Sequence, residues 1–139
     1  MTKDKEKVGI DLAQFDTVAA CNEGAVMEVL DPGTNKPTGV TITLAGVDSN
    51  AYQKAQREKQ NQRFRQMKGF RFSLITTEEA EEQTLHTLAK CTITWIGVVF
   101  QGKELECNYA NARMLYEKLP WLREQVFAFT EDRANFLSK

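Results

Sequence analysis

"AVMEVLDPGTNKPTGVTITLAG", Ala25 to Gly46, is the stretch that decides the fold class. Val26, Met27, Val29 and Leu30 make a first apolar run. "DPGTNKPTG", Asp31 to Gly39, follows and is dense in turn formers. In the second run Val40, Ile42 and Leu44 take one side, and Thr41 and Thr43 take the other. Period two in β-branched residues marks a strand with one buried face. Two such runs around a Pro/Gly loop predict a β-hairpin. A lone hairpin is marginal in water, so a third strand, a helix or a neighbouring subunit must cover it.

Helical signals lie on both sides. Upstream, "FDTVAACNEG" predicts a short helical turn, with Asp16 as N-cap and Gly24 as the left-handed stop. Downstream, "DSNAYQKAQREKQNQRFRQMKG" predicts a helix from Ser49 to Lys68, capped by Ser49 or Asp48 and ended by Gly69. Its apolar face is thin: Tyr52, Ala55, Phe64 and Met67. A helix polar nearly all round stands out in solvent or meets a polar partner. "FRFSLI", Phe70 to Ile75, reads as a linker.

After it, Thr76 and Glu79 fit a capping box, and Glu78, Glu79, Glu81 and Glu82 crowd the positive end of a helix dipole. Leu85, Leu88, Ala89, Thr92 and Ile96 then fall on one stripe, predicting a helix from Thr77 to Trp95. Across "TITWIGVVF" periodicity alone does not separate a buried helix from a strand. A turn or small hairpin is expected around Gln101 and Gly102. Asn108 caps a helix through "YANARMLYEKL", and Pro120 opens a final one. In that last helix Leu122, Val126, Phe129, Arg133 and Phe136 share a face, with Arg133 expected to pair with a residue beside Asp132 or with a glutamate of the long helix. The sum is an α+β fold: an N-terminal β-hairpin or small antiparallel sheet packed against about four mainly C-terminal helices. Residues 1–11 read as a lysine-rich flexible tail and 12–139 as one domain.

Composition narrows the function. Eighteen basic and nineteen acidic side chains give a net charge of -1, so no global field steers the chain to nucleic acid or membrane. No apolar run approaches the roughly twenty residues that span a bilayer, and the charged N-terminus lacks a signal-peptide core. A cytosolic site is expected. Cys21, Cys91 and Cys107 form no CxxC pair and His86 is the lone histidine, so no metal site is expected and the thiols read as reduced. His86 lies four residues after Glu82, spaced to pair with it, but its plainer reading is an ordinary exposed or half-buried histidine. With no serine or cysteine neighbour implied, a catalytic triad is unsupported. No cofactor loop is present: "PGTNKPTG" lacks the GK[ST] ending. Nothing here implies an enzyme. The basic stretch Lys54 to Arg71, with Phe64 and Phe70, has a phosphate-tracking reading. Its plainer reading is a solvated helix whose charge the next helix's glutamates answer, or one that recognises an acidic protein surface.

Trp121 and Phe127 fall off the stripe of Leu122, Val126 and Phe129. Two readings stand: a wide apolar face covering two neighbours, or rings that anchor a partner. Trp121, Phe127 and Phe129 are the candidate partner-binding residues.

The order of segments resembles the tail assembly chaperone family of long-tailed phages and prophages. The likeness runs through nearly the whole chain after Phe15. Its marks are "GxDS-x-x-Y" (Gly46, Asp48, Ser49, Tyr52), Trp95 and Gly97 before the Gly102 turn, "NARMLY", and the closing "LREQV…DRANFL". None is a catalytic motif. The resemblance implies a non-enzymatic protein in the cytoplasm of an infected or lysogenic bacterial host. It implies binding to a tape-measure protein, recruitment of tail-tube protein and self-association. The alternative in another class is a structural tail-completion or head–tail joining subunit retained in the virion.

Overall fold

The computed structural model describes residues 9–66 and 76–137. It is α+β, with a three-stranded antiparallel sheet near the N-terminus and helices mostly after it. The hairpin forms as expected: β1 (Ala25–Leu30) pairs with β2 (Pro37–Leu44), Met27 opposite Ile42. Asp31 makes the turn, its carboxylate accepting from the N–H groups of Gly33 (2.7 Å) and Thr34 (3.1 Å). Met27, Val29, Ile42 and Leu44 point inward and are buried, while Val26 points outward.

Local signals place most helix ends. Asp16 caps α1 (Thr17–Glu23), and Gly24, at φ 88°, closes it in a backbone region that side chains disfavour. Ser49 Oγ accepts from Tyr52 N (3.1 Å) and starts α2 (Asn50–Gln66). The expected end of that helix at Lys68 and Gly69, and the Phe70 to Ile75 linker, lie outside the described residues, as does most of the 1–11 tail. The Thr76–Glu79 capping box opens α3 (Thr77–Cys91) with both reciprocal bonds made. Asn108 caps α4 (Tyr109–Lys118), and Pro120 is the first residue of α5 (Pro120–Glu131).

Two expectations need correction. The helix predicted over Thr77 to Trp95 stops at Cys91, and β3 (Thr92–Ile96) becomes the third strand, antiparallel to β2. The hairpin needed a covering partner, and the β-branched run supplies it. The Thr92 hydroxyl donates to Leu88 O (2.8 Å), closing the last turn of α3 as the chain extends. Alternation then replaces the helical stripe: Trp95 faces the core at 8 % exposure, and Ile96 faces outward at 69 %. After β3, a small hairpin of β4 (Val99–Phe100) and β5 (Lys103–Glu104) turns at Gln101 and Gly102. Both have positive φ, the turn geometry matched to strand twist. The Trp95 indole N–H donates to Leu105 O (2.9 Å), tying this hairpin to the sheet.

The second correction concerns the final helix. It breaks at Asp132, whose carboxylate accepts from Ala134 N (3.1 Å) and starts a separate turn, α6 (Ala134–Leu137). Arg133 does not pair with a residue beside Asp132 or with a glutamate of α2. Its guanidinium grips Asp48 through Nε (2.6 Å) and Nη2 (2.9 Å). The core lies between the sheet and helices α3, α4 and α5, through Leu85, Leu88, Leu115, Tyr116, Leu122 and Val126.

Candidate partner-binding surface

Along α5, Leu122 and Val126 are buried against the core and set the helix's roll. That roll decides where the three candidate rings go. Trp121 and Phe129 are half-buried and pack on the core's margin. Phe129 also meets Phe136 edge-on, centroids 5.6 Å apart. Phe127 is 44 % exposed. It borders an open groove of about 360 Å³ with Thr84, Arg123 and Glu124. The three rings therefore do not form one patch. Phe127 is partly open to solvent, and Trp121 and Phe129 pack on the core's margin.

The groove is held by ion pairs across helices. Arg123 reaches Glu81 (3.4 Å) and donates to Tyr116 O (3.2 Å). Glu82 joins Lys59 of α2 (3.1 Å) to Arg113 of α4 (2.5 Å). Burial works against the Glu82 carboxylate, but hydrogen bonds from Arg113 and Lys59 outweigh it and hold its pKa below the ordinary value. The glutamates of α3 thus answer the basic face of α2 at Lys59. His86 does not pair with Glu82, whose oxygens are taken; its Nε2 lies 3.0 Å from Glu58 instead.

The "GxDS-x-x-Y" residues are joints. A Cβ on Gly46 would overlap the Cys21 sulfur and the Phe136 ring. Asp48 holds Arg133, and its carboxyl is kept below the ordinary range by that bond first and by one to Thr17 second. Ser49 caps α2, and the Tyr52 hydroxyl donates to Glu131. The element therefore locks the start of α2 to the closing segment of the chain. Cys21 and Cys91 are buried, and burial pushes the Cys91 thiol up to about 12, so it is protonated and unreactive at neutral pH. Among the described residues no group of His, Cys, Asp and Glu is placed to hold a metal ion.

Sequence reasoning missed a second apolar surface. Val26 on β1 and Ile96 on β3 are exposed and by strand alternation share the sheet's outer face, and Ile93, at the register shift beside Leu44, is exposed as well. Val26 was legible from alternation with Met27. The β3 residues were hidden by the helical reading. Val18, Phe15, Leu12 and Ile10 continue the exposed apolar side chains toward the N-terminus. Among the described residues no helix is long and apolar enough to cross a membrane. Compared with models of known families, with curated proteins and with solved structures, the chain finds no match.

Proposed function

We propose that this protein is a tail assembly chaperone of a long-tailed phage or prophage, working in the bacterial cytoplasm by contact and release. It binds the tape-measure protein, whose apolar helices need cover before the tail closes, and helps bring tail-tube subunits to it. The order of sequence marks from Gly46 to Leu137 supports this reading. The observation that carries it is the surface: Phe127 stands exposed on a rigidly held helix, and the sheet presents Val26, Ile93 and Ile96 to solvent. Apolar groups in such number on small surfaces mark sites where other polypeptides bind. An open groove and an exposed sheet face suit a helical polypeptide better than a small ligand, which takes a concave, largely enclosed site.

Quantitative mass spectrometry of infected cells and of purified virions tests the proposal. A chaperone is abundant in the cell and missing from mature tails. A stoichiometric amount in mature tails assigns the chain to a structural tail-completion or head–tail joining role instead.

A further inference from the structure

Three helices converge on His86. Its Nε2 is 3.0 Å from the Glu58 carboxylate on α2, and its Nδ1 is 2.8 Å from the Tyr109 hydroxyl on α4. A carboxylate only accepts, so Nε2 carries the proton and donates to Glu58. Nδ1 then presents a lone pair, and the Tyr109 hydroxyl donates to it. In the tautomer that donates to Glu58, Nδ1 is the accepting nitrogen and faces the phenol. His86 is buried, while Tyr109 is 38 % exposed and open to reagents.

Cations lie around the ring. The Lys90 ammonium sits 5.1 Å from the Tyr109 ring centroid. Arg113, one turn along α4, is close enough to feel the Tyr109 charge, and Lys54 and Lys90 flank Glu58. The other two tyrosines are arranged differently. The Tyr52 hydroxyl donates to the Glu131 carboxylate, which opposes a second negative charge. Tyr116 is fully buried and shares its hydroxyl with Thr92. Only Tyr109 combines an exposed ring, an imidazole partner and neighbouring cations.

We propose that Tyr109 is an acyl-accepting nucleophile, with His86 as its general base and Glu58 as the carboxylate that positions the imidazole. A hydroxyl on a base, and the base on an orienting group, is the arrangement that activates weak nucleophiles. The substrate class is an activated ester. The Tyr109 oxygen attacks the ester carbonyl carbon as its proton passes to His86 Nδ1. The new C–O bond forms, the bond to the leaving oxygen breaks, and the imidazolium returns the proton to the departing alkoxide or phenoxide. The product is a Tyr109 ester and an alcohol, with no change of oxidation state. This stoichiometric modification goes beyond the contact role proposed above and stands independently of it.

The test uses the full chain with p-nitrophenyl acetate, following release of p-nitrophenolate and locating acetyl groups by peptide mass spectrometry. Tyr109 is expected to acylate ahead of Tyr52 and Tyr116, and Tyr109→Phe to remove that phase. His86→Gln lowers the Tyr109 rate about 100-fold, the scale of general-base assistance. Glu58 is exposed, so Glu58→Gln keeps the fold and lowers the rate about tenfold, less than the roughly 100-fold loss expected on removing the base itself. Equal Tyr109 rates in native protein and folded Glu58→Gln would overturn the proposal and leave a structural clamp.

Discussion

Gly46 shows how much one missing methyl group controls. The Cys21 sulfur and the Phe136 ring occupy the space a Cβ would need. Gly46→Ala is therefore expected to destabilise the fold by about 1–3 kcal/mol, the usual cost of overpacking, read from denaturant midpoints. Asp48 offers a pH test at the same joint. Its folded pKa is depressed, chiefly by Arg133. The stability it contributes is present above its unfolded value, near 3.9, and is lost as pH falls through the lower folded value. The native protein should lose stability more steeply than Asp48→Asn on acidification below about pH 4; parallel curves would contradict the pairing. Neither partnership was visible in sequence, because Asp48 and Arg133 are far apart along the chain.

At the scale of elements, β3 is the decisive piece. As a strand it buries Trp95 and exposes Ile96; as the tail of α3 it would have put Ile96 on the buried stripe. Trp95→Ala is expected to cost about 3–5 kcal/mol, and Ile96→Ala to stay within about 0.5 kcal/mol. Comparable losses at both positions in urea unfolding would restore the helical alternative. What was legible in the chain was local chemistry. Asp16, Ser49, the Thr76–Glu79 pair, Asn108 and Pro120 each satisfy or remove donors of their own helix, so their roles need no distant partner. The Cys91 to Thr92 switch was not legible. Its β-branched residues suit either structure until β2 offers a free edge. The break at Asp132 was hidden for a similar reason, since Arg133 leaves the stripe to reach Asp48. Of the candidate site, the outward turn of Phe127 followed from helical spacing. The partial cover of Trp121 and Phe129 depended on neighbouring elements, and the convergence of Glu58, His86 and Tyr109 depended on three helices meeting.

For the whole molecule, a tightly joined frame carries loosely committed surfaces. The "GxDS-x-x-Y" joint, the Glu82 ion pairs and the core behind the sheet hold the frame. Phe127 and the outer sheet face remain available to other chains. Changing Phe127 should thus separate binding from folding, whereas Trp121 contributes to both because it packs on the core margin. The most direct measurement is co-expression of the tape-measure protein with native protein, Phe127→Ala and Trp121→Ala, followed by thermal melting and co-purification. The account predicts that Phe127→Ala melts close to the native protein yet no longer holds the tape-measure protein in solution. A Phe127→Ala protein that binds it as tightly as native, or that unfolds outright, would contradict it.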